Sequence, residues 1–276
     1  MFSCRENNKQ PVVGGGYGIG EMVDGKREGE WEFYRDDDSK ESEGYFENDK
    51  AVGKWIFYHD NDSIEEISSW KDGLVNGPIT KFYRNGQIEF TGRYEMDQKD
   101  SIWTFYTKEG VKNATGSYVY DKKHGLWEFW YPNGQLKARN EFSDSLPHGI
   151  VEEWYESGQQ KTIGRYSEGK QFGLWTMYYS NGNPQEISKW VNGKLDSVST
   201  TFWENGNKKY EGRYLSGIEN GKVTYWYPSG QIEIEGQYVN GKKEGIFTYY
   251  KENGEIESKL EYKADIVVEP EEENPE

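Results

Sequence analysis

The chain has 276 residues, a formal charge of −16 and a hydrophobic content of 33%, well under the roughly 45–50% of ordinary globular chains. That acidic balance excludes a nucleic-acid footprint and general adhesion to anionic lipid, both of which need cationic surface, and no apolar run approaches the roughly 20 residues of a membrane helix. Much of the apolar content is rings, at 16% aromatic, which suits a thin structure whose residues touch mainly their sequence neighbours.

Residues 1–19 open with "MFSC" ahead of a polar run, "RENNKQ". Phe-Ser-Cys resembles the end of a bacterial lipoprotein signal, with Cys4 as the lipidated residue and the polar run as its tether; the basic and apolar parts of such a signal are not in the chain. This reading places the protein in the cell envelope, outside the cytoplasmic membrane, with Cys4 the only membrane contact. An incidental cysteine would leave it cytoplasmic. Cys4 is the one cysteine, so an internal disulfide is excluded. "GGGYGIG" at 14–20 has glycines like those of a phosphate loop, but it follows no convincing strand and opens no helix, so it fails the test of context.

From residue 20 the sequence is periodic. After a partial unit ("GIGEMVDGK"), ten units of 24 residues run in phase from Gly29 to about 268, without insertion or deletion. Counting each unit from its glycine, position 6 is aromatic in all ten (Tyr34, Tyr58, Phe82, Tyr106, Trp130, Trp154, Tyr178, Phe202, Trp226, Tyr250), and so is position 18. Position 10 is glycine in eight units, and position 21 is glycine in five and aspartate in four. Two turn signals per unit, with aromatic and β-branched runs between them, predict stacked β-hairpins. The fold class is therefore all-β: an elongated single-layer antiparallel meander of about ten hairpin repeats over 20–265. About twenty strands would span roughly 95 Å. The acidic, Pro-containing segment 266–276 reads as a disordered tail.

A hairpin centred on positions 9 and 10, with a two- or four-residue loop, pairs residues whose positions sum to 19. Position 3, Trp in five units, then faces position 16, glycine in six, as Trp103 faces Gly116. Position 18 faces position 1, mostly glycine, so each ring covers a residue without a side chain. Positions 3, 5, 7, 12, 14, 16 and 18 share an apolar face; 4, 13, 15 and 17 share a polar one. Position 6 is a ring on the polar face.

The pattern G-x-W-x-F-Y-x-x-N-G-x-x-x-x-x-G-x-Y-x-x-G-K, as in "GLWTMYYSNGNPQEISKWVNGK", resembles the bacterial variant of the MORN repeat over residues 20–265. The resemblance implies a single-layer sheet of hairpins that acts as a scaffold or binding surface. Some bacterial members are labelled antitoxins.

Residues that could carry chemistry are few. His124 and His148 share position 24, about 10 Å apart at two strand spacings, too far for one metal; His59 stands alone. Asp36, Asp37 and Asp38, with Asp60 and Asp62, occupy equivalent turns of the first two units, a weak calcium candidate against the simpler role of turn formers. The basic pairs Lys122-Lys123, Lys208-Lys209 and Lys242-Lys243 read as solvated turn residues. No nucleophile motif or acid–base pair stands out, so the expectation is a monomer that is not an enzyme and carries no cofactor. Its expected role is to bind a protein partner through the ladder Trp130, Trp154, Tyr178, Phe202 and Trp226. The other readings are an antitoxin that captures one toxin, and a surface carbohydrate-binding module.

Overall fold

The computed structural model describes residues 9–13 and 15–268. Among them are 25 strands, each antiparallel to its neighbours, and no helix, so the all-β meander is borne out. Contacts divide the chain into two bodies, one of residues up to 136 with 142–145 and one of 137–141 with residues from 146 onward.

Ten units account for the expected twenty strands. Two of these are interrupted, as Lys170–Gln171 with Gly173–Tyr178 and Lys242–Lys243 with Gly245–Tyr250. Three further strands add to these twenty: Lys9–Pro11 and Tyr17–Val23 before the ten units, and Ile266–Val267 at the end of the last. Lys9 pairs with Ile19 and Lys263 with Ile266, so the sheet enters the segment read as a tether and passes residue 265. Cys4 and residues 269–276 lie outside the described residues.

The first turn of each unit differs from both expected loops. Arg35 N donates to Ser39 O and Asp38 N to Arg35 O, and the same two bonds recur at Tyr83, Tyr155, Tyr179, Trp203 and Tyr227. The loop thus has three residues, positions 8–10, and its third adopts a left-handed φ, which is why glycine prevails there. Asp38 and Asp62 take the same conformation at φ 64° and 61°. Near this turn positions 6 and 12 pair, as Tyr34 with Lys40; beyond a bulge at position 13 the pairs sum to 19, as Phe33 with Ser42 and Trp31 with Gly44.

That single extra residue corrects the face assignment. Position 12 crosses to the polar face, where Lys40 Nζ meets Glu32 Oε1 at 2.8 Å and also bonds Glu43. Position 13 crosses to the ring face, where Lys209 lies 4.5 Å from the Trp203 ring.

On the ring face the pairing register holds but the covering ring comes from elsewhere. Gly116 pairs with Trp103, yet a Cβ on Gly116 would sit 2.2 Å from Cδ2 of Trp127, the tryptophan of the next unit. Gly20, Gly44, Gly92 and Gly164 meet Trp31, Trp55, Trp103 and Trp175 in the same way, and Gly236 meets Phe247. The indole leans back across the preceding hairpin, and its Nε1 donates to a position-17 carbonyl there: Trp31 to Glu21, Trp127 to Ser117, Trp175 to Arg165, each at 3.1 Å. Position-18 rings stand edge-on between successive indoles, as Phe46 does between Trp31 and Trp55 and Tyr118 between Trp103 and Trp127. In consequence Trp103 and Trp127 are fully buried in a single layer of sheet.

Position 1 has a different reason for glycine. Around a Cβ built on Gly29, Gly53, Gly125, Gly173 or Gly245 there is open space, so no ring fills those places. What the position demands is backbone shape, a φ of 67–73° at these five glycines, where the strand bulges before the tryptophan. Ser101 and Ser197 adopt the same φ, at 61° and 69°.

A further ladder was invisible in the sequence. Position-7 side chains donate to the position-6 carbonyl of the next unit: Tyr83 to Tyr106, Tyr155 to Tyr178, Tyr179 to Phe202, Trp203 to Trp226 and Tyr227 to Tyr250, at 2.7–3.0 Å. Arg35 and His59 reach the corresponding carbonyls of Tyr58 and Phe82. Chemically unlike residues thus perform one task.

The two kinds of glycine separate in mutants. Gly116→Ala should cost about 3 kcal/mol or more, as overpacking against Trp127. Gly125→Ala should cost only about 1–2 kcal/mol of backbone strain. Urea midpoints of the two variants check this; equal losses would contradict it.

Candidate binding face

The second face carries positions 2, 4, 6, 12, 15 and 17. The position-6 rings lie half-buried on it in both bodies. Trp130 belongs to the first body and Trp154, Tyr178, Phe202 and Trp226 to the second. Ring hydroxyls reach carboxylates on the same face: Tyr34 Oη donates to Glu32 at 3.1 Å and Tyr58 Oη to Glu43 at 2.8 Å. Cations of the preceding unit lean over these rings. Lys112 Nζ is 3.8 Å from the Trp130 centroid, Lys208 5.3 Å from Trp226, and the Arg139 guanidinium 5.9 Å from Trp154.

Beside the rings runs a second row that sequence reasoning passed over. Position 2 is aliphatic in most units and points outward: Ile102 and Leu126 in the first body, Ile150, Leu174, Val198 and Ile246 in the second. Ile102 is 67% exposed and Leu174 63%. The signal was readable, since position 2 alternates with 4 and 6 along one strand, but one aliphatic per unit is inconspicuous beside so many rings. Threonines at position 4, such as Thr176, Thr200 and Thr224, separate the two rows and are buried.

Units 1 and 2 carry a charged cluster on this face. Burial works against the charge on Lys40, yet the hydrogen bonds it donates to Glu32 and Glu43 carry its pKa above the ordinary lysine value. The Lys40 hydrogen bond holds the Glu43 carboxyl below the usual carboxylate range. Burial, and then the Glu43 hydrogen bond, push the Tyr58 phenol up. Around these groups lies a trough of about 460 Å³ lined by Ile19, Glu30, Trp31, Tyr45, Lys54 and Ile56 among others.

The aspartates of the first two turns do not converge. Asp36 accepts from Gly16 N, Asp37 from Ser39, and Asp38 from the Tyr17 hydroxyl, while Asp60 pairs with Arg84 at 3.0 Å. No group of three or more metal-ligating side chains occurs among the described residues. His59 Nε2 is taken up by the Phe82 carbonyl, and His124 and His148 are exposed. All three basic pairs contain a residue that is not merely solvated: Lys123, Lys209 and Lys243 lie over Trp127, Trp203 and Phe247, at 4.4, 4.5 and 4.9 Å. In "GGGYGIG", Gly18 and Gly20 are strand residues, and Gly20 accommodates Trp31.

The family described as MORN repeat variant matches residues 51–72, 123–144, 173–192, 219–240 and 243–264, five stretches in phase with the 24-residue period. This is a MORN-repeat protein. The other units share its hairpin register and ring contacts, so the repeat extends beyond the matched stretches. No curated protein matches the chain. Among solved structures it is similar to the Photorhabdus luminescens Tc holotoxin pore carrying the TccC3-D651A mutation, at 9% identity and a TM-score of 0.20, over 92% of this chain and 16% of that one. The TcdB2-TccC3 crystal structure follows, at 10% identity and a TM-score of 0.20, over 86% of this chain and 16% of that one. The MORN-repeat chain spans less than a fifth of the length of either.

The Lys40 cluster gives a pH-dependent signature. Glu43 has a depressed folded pKa, so its contribution is present above the unfolded value of 4.5 and is lost as pH falls through the folded value. Lys40→Met should therefore cost about 0.5–1 kcal/mol at pH 7, given the partial exposure of the cluster. The difference from wild type should shrink as pH drops below about 4. Urea midpoints at about pH 7 and about pH 3.5 check this, and a difference constant with pH would contradict it.

Proposed function

We propose that this MORN-repeat protein is a non-catalytic scaffold that captures a protein partner on the face carrying positions 2, 4 and 6. The observation that carries the reading is the pairing of two rows on one face, an exposed aliphatic at position 2 and a half-buried ring at position 6. Interface anchors are typically aromatic residues set among apolar neighbours and rimmed by charge, and Trp154, Tyr178, Phe202 and Trp226 fit that role in the second body, with Trp130 in the first. The net charge of −16 favours a partner with a basic surface. Several carboxylates of this face are engaged by lysines, Glu211 by Lys208 and Glu32 by Lys40, which suits a binding surface better than acid–base catalysis.

An anchor at Cys4 is part of the proposal: the sequence "MFSC" supports a lipidated start outside the cytoplasmic membrane. Mass spectrometry of protein expressed in its own host, from a gene with the upstream DNA included, should find a diacylglyceryl-modified cysteine as the first residue. An unprocessed chain with a free thiol would end the anchor reading.

The partner reading is tested by Trp154→Ala and Leu174→Lys against Trp127→Ala. The first two should leave the melting temperature within a few degrees of wild type and reduce partner capture in pull-downs by about tenfold or more. Trp127→Ala should cost about 3–5 kcal/mol, as for a buried ring. Full capture by Trp154→Ala and Leu174→Lys together, or binding of oligosaccharide and not protein, would overturn the reading.

A further inference from the structure

One place on the ring face departs from the repeat in a way that implies a ligand. At position 23 the chain repeatedly puts a cation against the position-18 ring of the next unit. Arg27 lies 3.9 Å from the Phe46 centroid, Lys99 5.2 Å from Tyr118, Lys123 5.3 Å from Phe142 and Lys243 4.8 Å from Tyr262. Where position 23 is not basic it is neutral (Ala51, Val75, Pro147, Gln171, Leu195), with one exception, Glu219.

Around Glu219 the rings are all phenols. Tyr210 Oη donates to Glu219 Oε1 at 2.5 Å, and Tyr214 Oη stands 3.3 Å from the same oxygen and 2.9 Å from Tyr210 Oη. The Tyr225 ring lies beside Tyr210, tilted at 56° with centroids 5.1 Å apart, and Tyr238 is the position-18 ring that a basic residue 219 would cover. Among the described residues no lysine or arginine lies over any of these four rings. Among the same residues, Oε2 of Glu219 accepts no hydrogen bond. The Tyr210 ring also turns into the space above Gly212, which other units fill with an indole from the following unit.

Position 3 of that following unit is Val223, far smaller than tryptophan. Tyr210 occupies the space that the smaller residue leaves. The site therefore has a carboxylate and ring faces of the kind that bind a cation, and it lacks the position-23 cation that four other units supply, while Lys243, the cross-strand partner of Tyr238, lies over Phe247 and Tyr262 instead. We propose that Glu219, Tyr214 and Tyr238 form a binding site for an organic cation of the ammonium or guanidinium class, seated where Lys99, Lys123 and Lys243 place their own charged groups. Glu219 supplies the counter-charge and the phenol rings supply cation–π contact, a combination stronger for a weakly hydrated organic cation than for sodium. The site is on the face opposite the position-6 rings and does not depend on the partner reading.

The test uses the full chain, labelled with nitrogen-15, titrated with methylammonium, guanidinium and acetyl-lysine amide chlorides, and with sodium chloride at matched ionic strength. Saturable amide shifts confined to residues near Gly212, Glu219 and Tyr238 are expected, with affinity about tenfold above sodium. Glu219→Lys, which supplies the missing cation from within, should abolish them and raise the melting temperature. Glu219→Gln, which keeps the shape and loses the charge, should weaken binding about tenfold, and it decides the matter if the lysine variant does not fold. Shifts that rise linearly, that sodium reproduces, or that survive in Glu219→Gln would overturn the proposal and leave Glu219 as the acceptor for two phenols alone.

Discussion

An indole lying flat over a glycine of the preceding unit is the contact on which the rest of this MORN-repeat sheet depends. A single layer has no second layer to cover its apolar face, so its rings must bury one another. Laying Trp127 across Gly116 brings the ring down to the backbone, where its faces and edge are covered by Tyr118, Phe129, Phe142 and Lys123. A side chain at position 16 would lift the ring into water. Pairs at this contact vary in size together. Tryptophan or phenylalanine meets glycine at six places, while Ser68 pairs with Ile79 and Ser188 with Ser199. Gly212, paired with the smaller Val223, is filled instead by Tyr210.

Because each indole reaches into the unit before it, stability is shared between neighbours, as expected of a solenoid. The position-7 ladder does the same at the other end of the hairpin. Tyrosine, tryptophan, histidine and arginine all reach a carbonyl 23 residues on, which is possible because the donor is needed and its scaffold is not. Neither of these ladders uses the side chains of positions 2, 4 and 6.

Much of the architecture was legible in the sequence, since a 24-residue period with two turn signals and rings fixed at positions 6 and 18 leaves little besides stacked hairpins. The pairing of Trp103 with Gly116 was also readable. What escaped was set by single residues of backbone. The three-residue loop with its bulge at position 13 exchanges the faces of positions 12 and 13, and no side-chain pattern announces a bulge. Glycine at position 1 looked like a hole for a ring because glycine at position 16 is one; only backbone angles tell a φ requirement from a space requirement. Direction of lean was hidden too, so the ring over Gly116 was assigned to the paired Trp103 when it belongs to Trp127. On the candidate face the position-6 rings stood out and the aliphatic row at position 2 did not, because isoleucine and leucine are common and fixed rings are rare.

The dependence of the sheet on its indole–glycine contacts can be measured by removing one unit's length of chain in two ways. Excising residues 93–116 joins Gly92 to the segment bearing Trp127 and restores a matched pair. Excising residues 69–92 is equally long and in phase, but it brings Trp103 over Ser68. Both keep the period and the turns, and the two leave the same number of hairpins. The first protein should unfold in urea close to the wild-type midpoint, while the second should lose about 2 kcal/mol or more to the misfit. Equal midpoints would show that hairpin pairing alone holds the units together, and would contradict the central role of the ring over the glycine.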